Sequence, residues 1–121
     1  MTKDTQRWII PPIFAWEPND LCMFLSLDAA ESYLESWVEE AGIRVYDSEG
    51  KRLVAHEWPE ARCAVWFSAP ESPDRLVPDE LRAVLLEWLT QRGRLLPVHR
   101  TWELPMLVAY FVEHRLGDTV D

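Results

Sequence analysis

Between residues 28 and 41, apolar side chains recur at spacings of three and four: Ala30, Tyr33, Leu34, Trp37, Val38 and Ala41. A stripe of this kind is buried as one surface on a helix, whose 3.6-residue turn stacks these positions on a single face. The spacing predicts a helix of three to four turns. Asp28 with Glu31 in a capping-box arrangement opens it, or Ser26 as the cap, and Gly42 stops it. A second stripe, Leu81, Val84, Leu85, Trp88 and Leu89, predicts a helix from Pro78 or Asp79 to Gln91, ended by Gly93. A third helix is expected from Thr101 or Leu104, with Pro105 tolerated in its first turn. Its Met106–Val112 run is apolar nearly all round, which suits a deeply packed helix or one half committed to another chain.

Other stretches alternate instead. Leu21–Leu25 reads as a short strand buried on both faces. Ile43, Val45 and Asp47 oppose Arg44 and Tyr46, the turn Asp47-Ser48-Glu49-Gly50 follows, and Arg52–Glu57 returns as the second arm of a hairpin. Arg62–Ser68 is apolar on both faces and is the expected central strand. The run Trp8–Trp16 contains Pro11 and Pro12, which lack backbone donors. It is expected as an extended arm or edge, with residues 1–20 as a loosely packed N-terminal arm and Glu17-Pro18-Asn19-Asp20 as a turn. Residues 69–78 hold three prolines and read as a loop. Strands followed by helices in a chain of 121 residues imply one α+β domain over residues 1–121. A small mixed or antiparallel sheet packed by about three helices buries every apolar surface.

Charge narrows the function. Lys and Arg number 12 against 21 Asp and Glu, a net charge of −9, and residues 17–60 alone carry eleven acidic side chains against three basic ones. Such a field repels nucleic-acid phosphates and anionic lipid, and no Lys/Arg cluster marks a basic patch. Direct nucleic-acid binding and membrane association are therefore not expected. No apolar run approaches the roughly 18 residues of a membrane span, and no signal-peptide pattern precedes Trp8, so the expected location is cytoplasmic. Cys22 and Cys63 lie in apolar stretches and read as buried free thiols.

Motifs for chemistry are not found in the sequence. Four glycines, at 42, 50, 93 and 117, build neither a dinucleotide loop nor a phosphate-binding loop. His56, His99 and His114 have no metal-binding spacing, so neither a metal nor a cofactor is expected, and the chain is expected to be non-catalytic. Glu31, Glu35 and Glu39 repeat every four residues, with Glu40 beside them, along the open face of the first predicted helix. Like charges at that spacing repel slightly, and the stripe is a candidate steering face for a basic protein. Of seven tryptophans, Trp37, Trp66 and Trp88 are assigned to the core. Trp8, Trp16, Trp58 and Trp102 fall at element edges, and Trp16 and Trp58 are the candidate interface anchors.

Two segments carry a resemblance. Ser26-Leu27-Asp28-Ala29-Ala30-Glu31-Ser32-Tyr33-Leu34-Glu35, and the hairpin Tyr46-Asp47-Ser48-Glu49-Gly50-Lys51-Arg52-Leu53, resemble small bacterial proteins of the immunity type found beside polymorphic or contact-delivered toxins. The first segment has one residue more than that pattern between Ala29 and Glu31, and the likeness covers residues 21–53. It implies a cytoplasmic inhibitor that occupies a cognate toxin and performs no chemistry itself. A toxin acting on nucleic acid would present a basic surface to an acidic inhibitor. The alternatives are a scaffold or regulatory adaptor, homodimeric through the C-terminal helix, and a small enzyme built on the 69–78 loop with Arg62 or Arg75.

Overall fold

Leu81, Val84, Leu85, Trp88 and Leu89 are all buried on one face of a helix over Pro78–Gln91, as their spacing predicts. Pro78 stands in its first turn, where a missing N–H costs nothing, and Asp79 and Glu80 lie beside the N-terminal amides. The computed structural model describes residues 6–18 and 20–121. In chain order the elements are β1 (Ile13–Glu17), β2 (Asp20–Phe24), α1 (Leu27–Tyr33), β3 (Arg44–Tyr46), β4 (Val54–Trp58), β5 (Ala61–Ser68), α2 (Pro78–Gln91), α3 (Leu104–His114) and β6 (Asp118–Val120). Among the described residues the result is a small α+β domain with about three α-helices and a mixed sheet.

The sheet runs β3-β1-β2-β6. β1 is antiparallel to both its neighbours, whereas β6 lies parallel to β2. Side chains alternate across it. Phe14, Trp16, Leu21, Met23 and Tyr46 pack against α2 and α3, while Ile13, Ala15, Phe24 and Val45 face α1 and a separate ribbon of β4 and β5. Both faces are covered, so β1 and β2 read as nearly unbroken apolar runs. Tyr46 donates its hydroxyl to Glu80, and Arg44 pairs with the same carboxylate at 3.1 Å, which ties β3 to α2.

Several expectations need correction. The Trp8–Trp16 run is not an arm or an edge, because Ile13–Glu17 is an inner strand paired on both sides. Pro11 and Pro12 precede the strand, so the donors they lack are never asked of the ladder. Within the expected loose segment 1–20, Ile9 and residues 13–16 are buried; residues 1–5, and Asn19 in the turn, lie outside the described residues. Arg62–Ser68 is not central. β5 pairs with β4, and on its other side has the isolated bridge from Ala64 to Glu35. The hairpin after β3 is short: Leu53 N–H reaches Val45 O at 2.8 Å, and the chain then leaves for the ribbon. Residues 94–96 lead into a 3-10 helix over Pro97–Thr101, another forms at Pro73–Arg75 in the proline-rich loop, and β6 forms in a tail whose residue pattern predicts no strand.

The first helix stops at Tyr33. Ser26 is its cap, accepting from the Ala29 N–H at 3.0 Å. Leu34 turns to an extended ψ of 159°, Glu35 bridges to β5, and a 3-10 turn follows at Ser36–Val38. Ala30 and Val38 are buried and Leu34 packs against them without a continuous helix, so the tertiary contacts that the stripe serves override its helical period.

Asp47 opens the turn after β3 and is fully buried. Its carboxylate accepts from the backbone N–H groups of Ile10 (3.1 Å), Glu49 (3.0 Å) and Lys51 (3.0 Å), and from Lys51 Nζ (3.1 Å). A buried charge is tolerated when its lone pairs are filled in this way. Burial works against the Lys51 ammonium, yet its bonds to Glu49 and Asp47 prevail and raise its pKa. Gly50 ends the turn at φ +84°, and its carbonyl accepts from Val77 N–H at 2.8 Å. A Cβ there would lie 2.4 Å from Pro78 Cα, so the turn and the start of α2 meet backbone to backbone. Gly50→Ala is expected to destabilise the fold by about 2–4 kcal/mol, read as a lowered urea midpoint with unchanged slope.

Candidate functional site

β1 and β2 are joined by a tight turn that sets Glu17 opposite Asp20 at one end of the sheet. Directly behind them, Ala15 and Cys22 form a paired floor. The chain leaving α1 supplies the wall: Tyr33, Leu34, Glu35, Trp37 and Val38. Because the helix ends at Tyr33, the Trp37 indole is not drawn into the core. It stands 45% exposed, and its Nε1–H donates to Glu35 Oε2 at 2.8 Å. Tyr33 is 60% exposed, with its ring against Phe24 at 5.5 Å. The concavity measures about 190 Å³. Among the described residues no Lys, Arg or His lines it, and Glu17, Asp20 and Glu35 form no ion pair with the chain's own cations.

The cleft gathers only one of the residues singled out as a steering stripe. Glu35 lines it. Glu31 is occupied elsewhere, accepting from Phe67 N–H (2.8 Å) and Gln6 Nε2 (2.8 Å). Glu39 pairs with Arg75 at 3.1 Å, and Glu40 is exposed. The four do not share a helix face, because the helix that would align them ends before Glu35. Trp16 is no surface anchor: it is 3% exposed and packs in the core with α2 and α3. Trp58 is partly exposed on the ribbon, 5.8 Å from Trp66. Trp37, assigned to the core by its spacing, is instead at the surface. Glu17 and Asp20 are candidate site residues that no motif marks; the signal for them in the sequence is two acids bracketing a turn between apolar strands.

A basic cluster exists after all. Arg92, Arg94, His114 and Arg115 converge where α2 and α3 end, around a cleft of about 370 Å³ whose rim holds Asp20 and Asp118. Cations are favoured at helix C-termini, Arg92 lies 5.2 Å over the Trp88 ring, and Arg115 pairs with Asp121, so local structure accounts for them. His99 is buried; its Nδ1 accepts from Leu96 N–H at 2.9 Å, and its ring sits 4.9 Å from both Trp102 and Tyr110. His56 stacks on Trp66 at 4.1 Å and bonds to Ser68.

Both cysteines are free, but they are half-buried rather than buried, and Cys63 sits at φ 68° beside the bulge in the ribbon. Asp20, Cys22 and Asp118 bring one donor atom each within 4.8 Å of one another, the one group among the described residues that could hold a metal ion. Burial, and then the charges of Asp20, Asp118 and Glu17, push the Cys22 thiol up to about 11. It is therefore a protonated thiol at neutral pH. Compared with known proteins, the chain matches no family model, no curated protein and no solved structure.

Two titrations check this electrostatic picture. In a Cys63→Ser background, Cys22 alkylation should be slow at pH 8, where about one part in a thousand is thiolate, and should rise about tenfold per pH unit. Asp20→Asn should accelerate it. Burial also raises the Glu31 carboxyl above its ordinary value, outweighing the Phe67 amide bond that lowers it. The folded chain then holds that proton longer than the unfolded one. Glu31's contribution is in place below the ordinary carboxyl pKa and is lost as pH rises through the raised one. Denaturant midpoints measured from about pH 4 upward should show Glu31→Gln gaining on the wild type across that window.

Proposed function

We propose that the chain is a non-catalytic protein-binding domain of the cytoplasm, an immunity-type inhibitor that holds a basic partner, a cognate bacterial toxin, against its acidic surface. The observation that carries this reading is the cleft between the β1–β2 turn and the chain after α1. Three carboxylates, Glu17, Asp20 and Glu35, line it with no Lys, Arg or His among the described residues of that lining, although Asp20 also stands on the rim of the arginine cleft, and two exposed aromatic rings flank them. Charges arranged in this way speed and orient association with a basic surface, and exposed aromatics bury much area at low entropic cost. The net charge of −9 acts in the same direction at long range. Among the described residues no helix is long and apolar enough to cross a membrane, which fits a partner met in solution. The resemblance over residues 21–53 supplies the toxin as the partner class.

A second reading has an observation of its own. Met106, Ala109 and Val112 are exposed three residues apart on α3, beside a concavity of about 480 Å³ lined by Leu104, Pro105 and Val108. A second copy of the chain would cover that face, making a dimeric scaffold or adaptor.

Affinity capture from the source organism's lysate separates the two. A bait carrying Glu17→Gln, Asp20→Asn and Glu35→Gln should lose a basic protein that the wild type and a Glu40→Gln control retain, with an association rate lowered about tenfold. Equal recovery by all three baits would sink the cleft as the binding face. A self-associated chain that captures nothing, with Met106–Val112 protected from hydrogen exchange, would favour the dimer.

A further inference from the structure

The cleft's size, walls and charge together restrict what can enter it. At about 190 Å³ it is smaller than the roughly 300–1,000 Å³ of sites that enclose small-molecule ligands, so it suits one side chain rather than a cofactor. Its floor and inner wall, Ala15, Leu34, Val38 and Ile43, are apolar and suit an aliphatic stem. Glu17 and Asp20 stand across the β1–β2 turn from each other, and Glu35, on the chain after α1, lines the same cleft, so acceptors come from two separate segments. The Trp37 ring is held by its bond to Glu35, leaving an aromatic surface open beside those acceptors.

We infer that this cleft receives the guanidinium of a single arginine side chain projecting from a partner protein. The inference deepens the inhibitor reading and rests on it for the identity of the partner. A planar guanidinium presents five donors in a fixed fork and stacks on an aromatic face, whereas an ammonium is a compact, strongly hydrated point charge. Carboxylates from both the β1–β2 turn and the chain after α1, with an exposed indole lining the same cleft, match the first better than the second. The chain leaves room for that charge, since none of its own cations lines the cleft among the described residues. Arginine is also enriched among the residues that dominate binding energy at interfaces, where its stem packs and its head is fully bonded.

The test uses the whole chain and three small probes: N-acetyl-arginine amide, its neutral isostere N-acetyl-citrulline amide, and N-acetyl-lysine amide. Amide and indole shifts in a ¹H–¹⁵N spectrum are followed during titration, with the Trp37 indole identified by its absence in Trp37→Phe. The arginine probe should give saturable shifts confined to Glu17, Asp20, Cys22, Glu35 and the Trp37 indole. Citrulline and lysine should bind at least about tenfold more weakly. Asp20→Asn and Glu35→Gln should each weaken the arginine probe several-fold while the rest of the spectrum overlays on the wild type. Non-saturating shifts, shifts centred elsewhere, or equal binding by lysine would overturn the inference. The two readings can fail separately. If the triple-carboxylate bait loses its partner but the arginine probe does not bind, the inhibitor stands and the arginine falls. If the probe binds in the cleft and no basic partner is captured, the arginine site stands and the inhibitor falls.

Discussion

A single buried carboxylate holds the first half of this chain together. Asp47 has no access to solvent, and its two oxygens take three backbone N–H groups and one ammonium. Those donors come from the segment before β1 and from the turn after β3, so the charge fixes how the N-terminal residues cross the sheet edge. The same turn delivers Gly50 against Pro78, and Arg52 N–H reaches Arg75 O at 2.7 Å. Leaving such a charge short of donors is far more costly than never burying it. Three stretches distant in sequence therefore share one arrangement. β1, which follows the anchored Ile10, is paired on both sides, and Glu17 stands at its far end opposite Asp20 of β2.

That dependence links the core to the candidate site. Glu17 follows directly on the buried run of β1, and Asp20 opens β2, so the spacing of the two acids is set by strand pairing and not by a loop. Opposite them, the early end of α1 decides the outcome. One more helical turn would carry Glu35 and Trp37 to different faces, and the cleft would lose its wall. Glu31 contributes at a distance: bonded to the Phe67 amide, it docks α1 on β5, and the bridge from Glu35 to Ala64 continues that seam.

The parts of this arrangement that could be read from sequence are those where period and environment agree. α2 is the clearest case, since Leu81 to Leu89 form a stripe on an unbroken helix with one buried and one open side. β2 was legible for the same reason. The region 28–41 was misread because a three-and-four repeat records which residues are buried, and a short helix, an extended residue and a 3-10 turn can bury the same set. β1 was misread because the prolines were charged to the whole apolar run, when Ile13 begins the strand just beyond them. The site followed these errors. An acidic character for the first half was legible in the residue counts, but its placement on a helix face was tied to geometry the chain does not adopt. Trp37 and Trp16 consequently exchanged roles between core and surface.

The parallel pairing of β6 with β2 has a consequence for the chain as it is made. Cys22 to Phe24 hydrogen-bond with Asp118 to Val120, nearly the whole length of the sequence later. During synthesis the β1–β2 hairpin emerges early, yet the outer edge of β2 stays open, and the α2–α3 face that seals Phe14 and Trp16 is still unmade. The emerging half thus carries an unpaired strand edge and bare aromatic surface, features that favour association with other chains. Closing contacts across so long a separation is slow. For a nascent chain on the ribosome, the interval before Asp118–Val120 appear is the vulnerable one, and a chaperone bound near β2 would have to release it before β6 could dock.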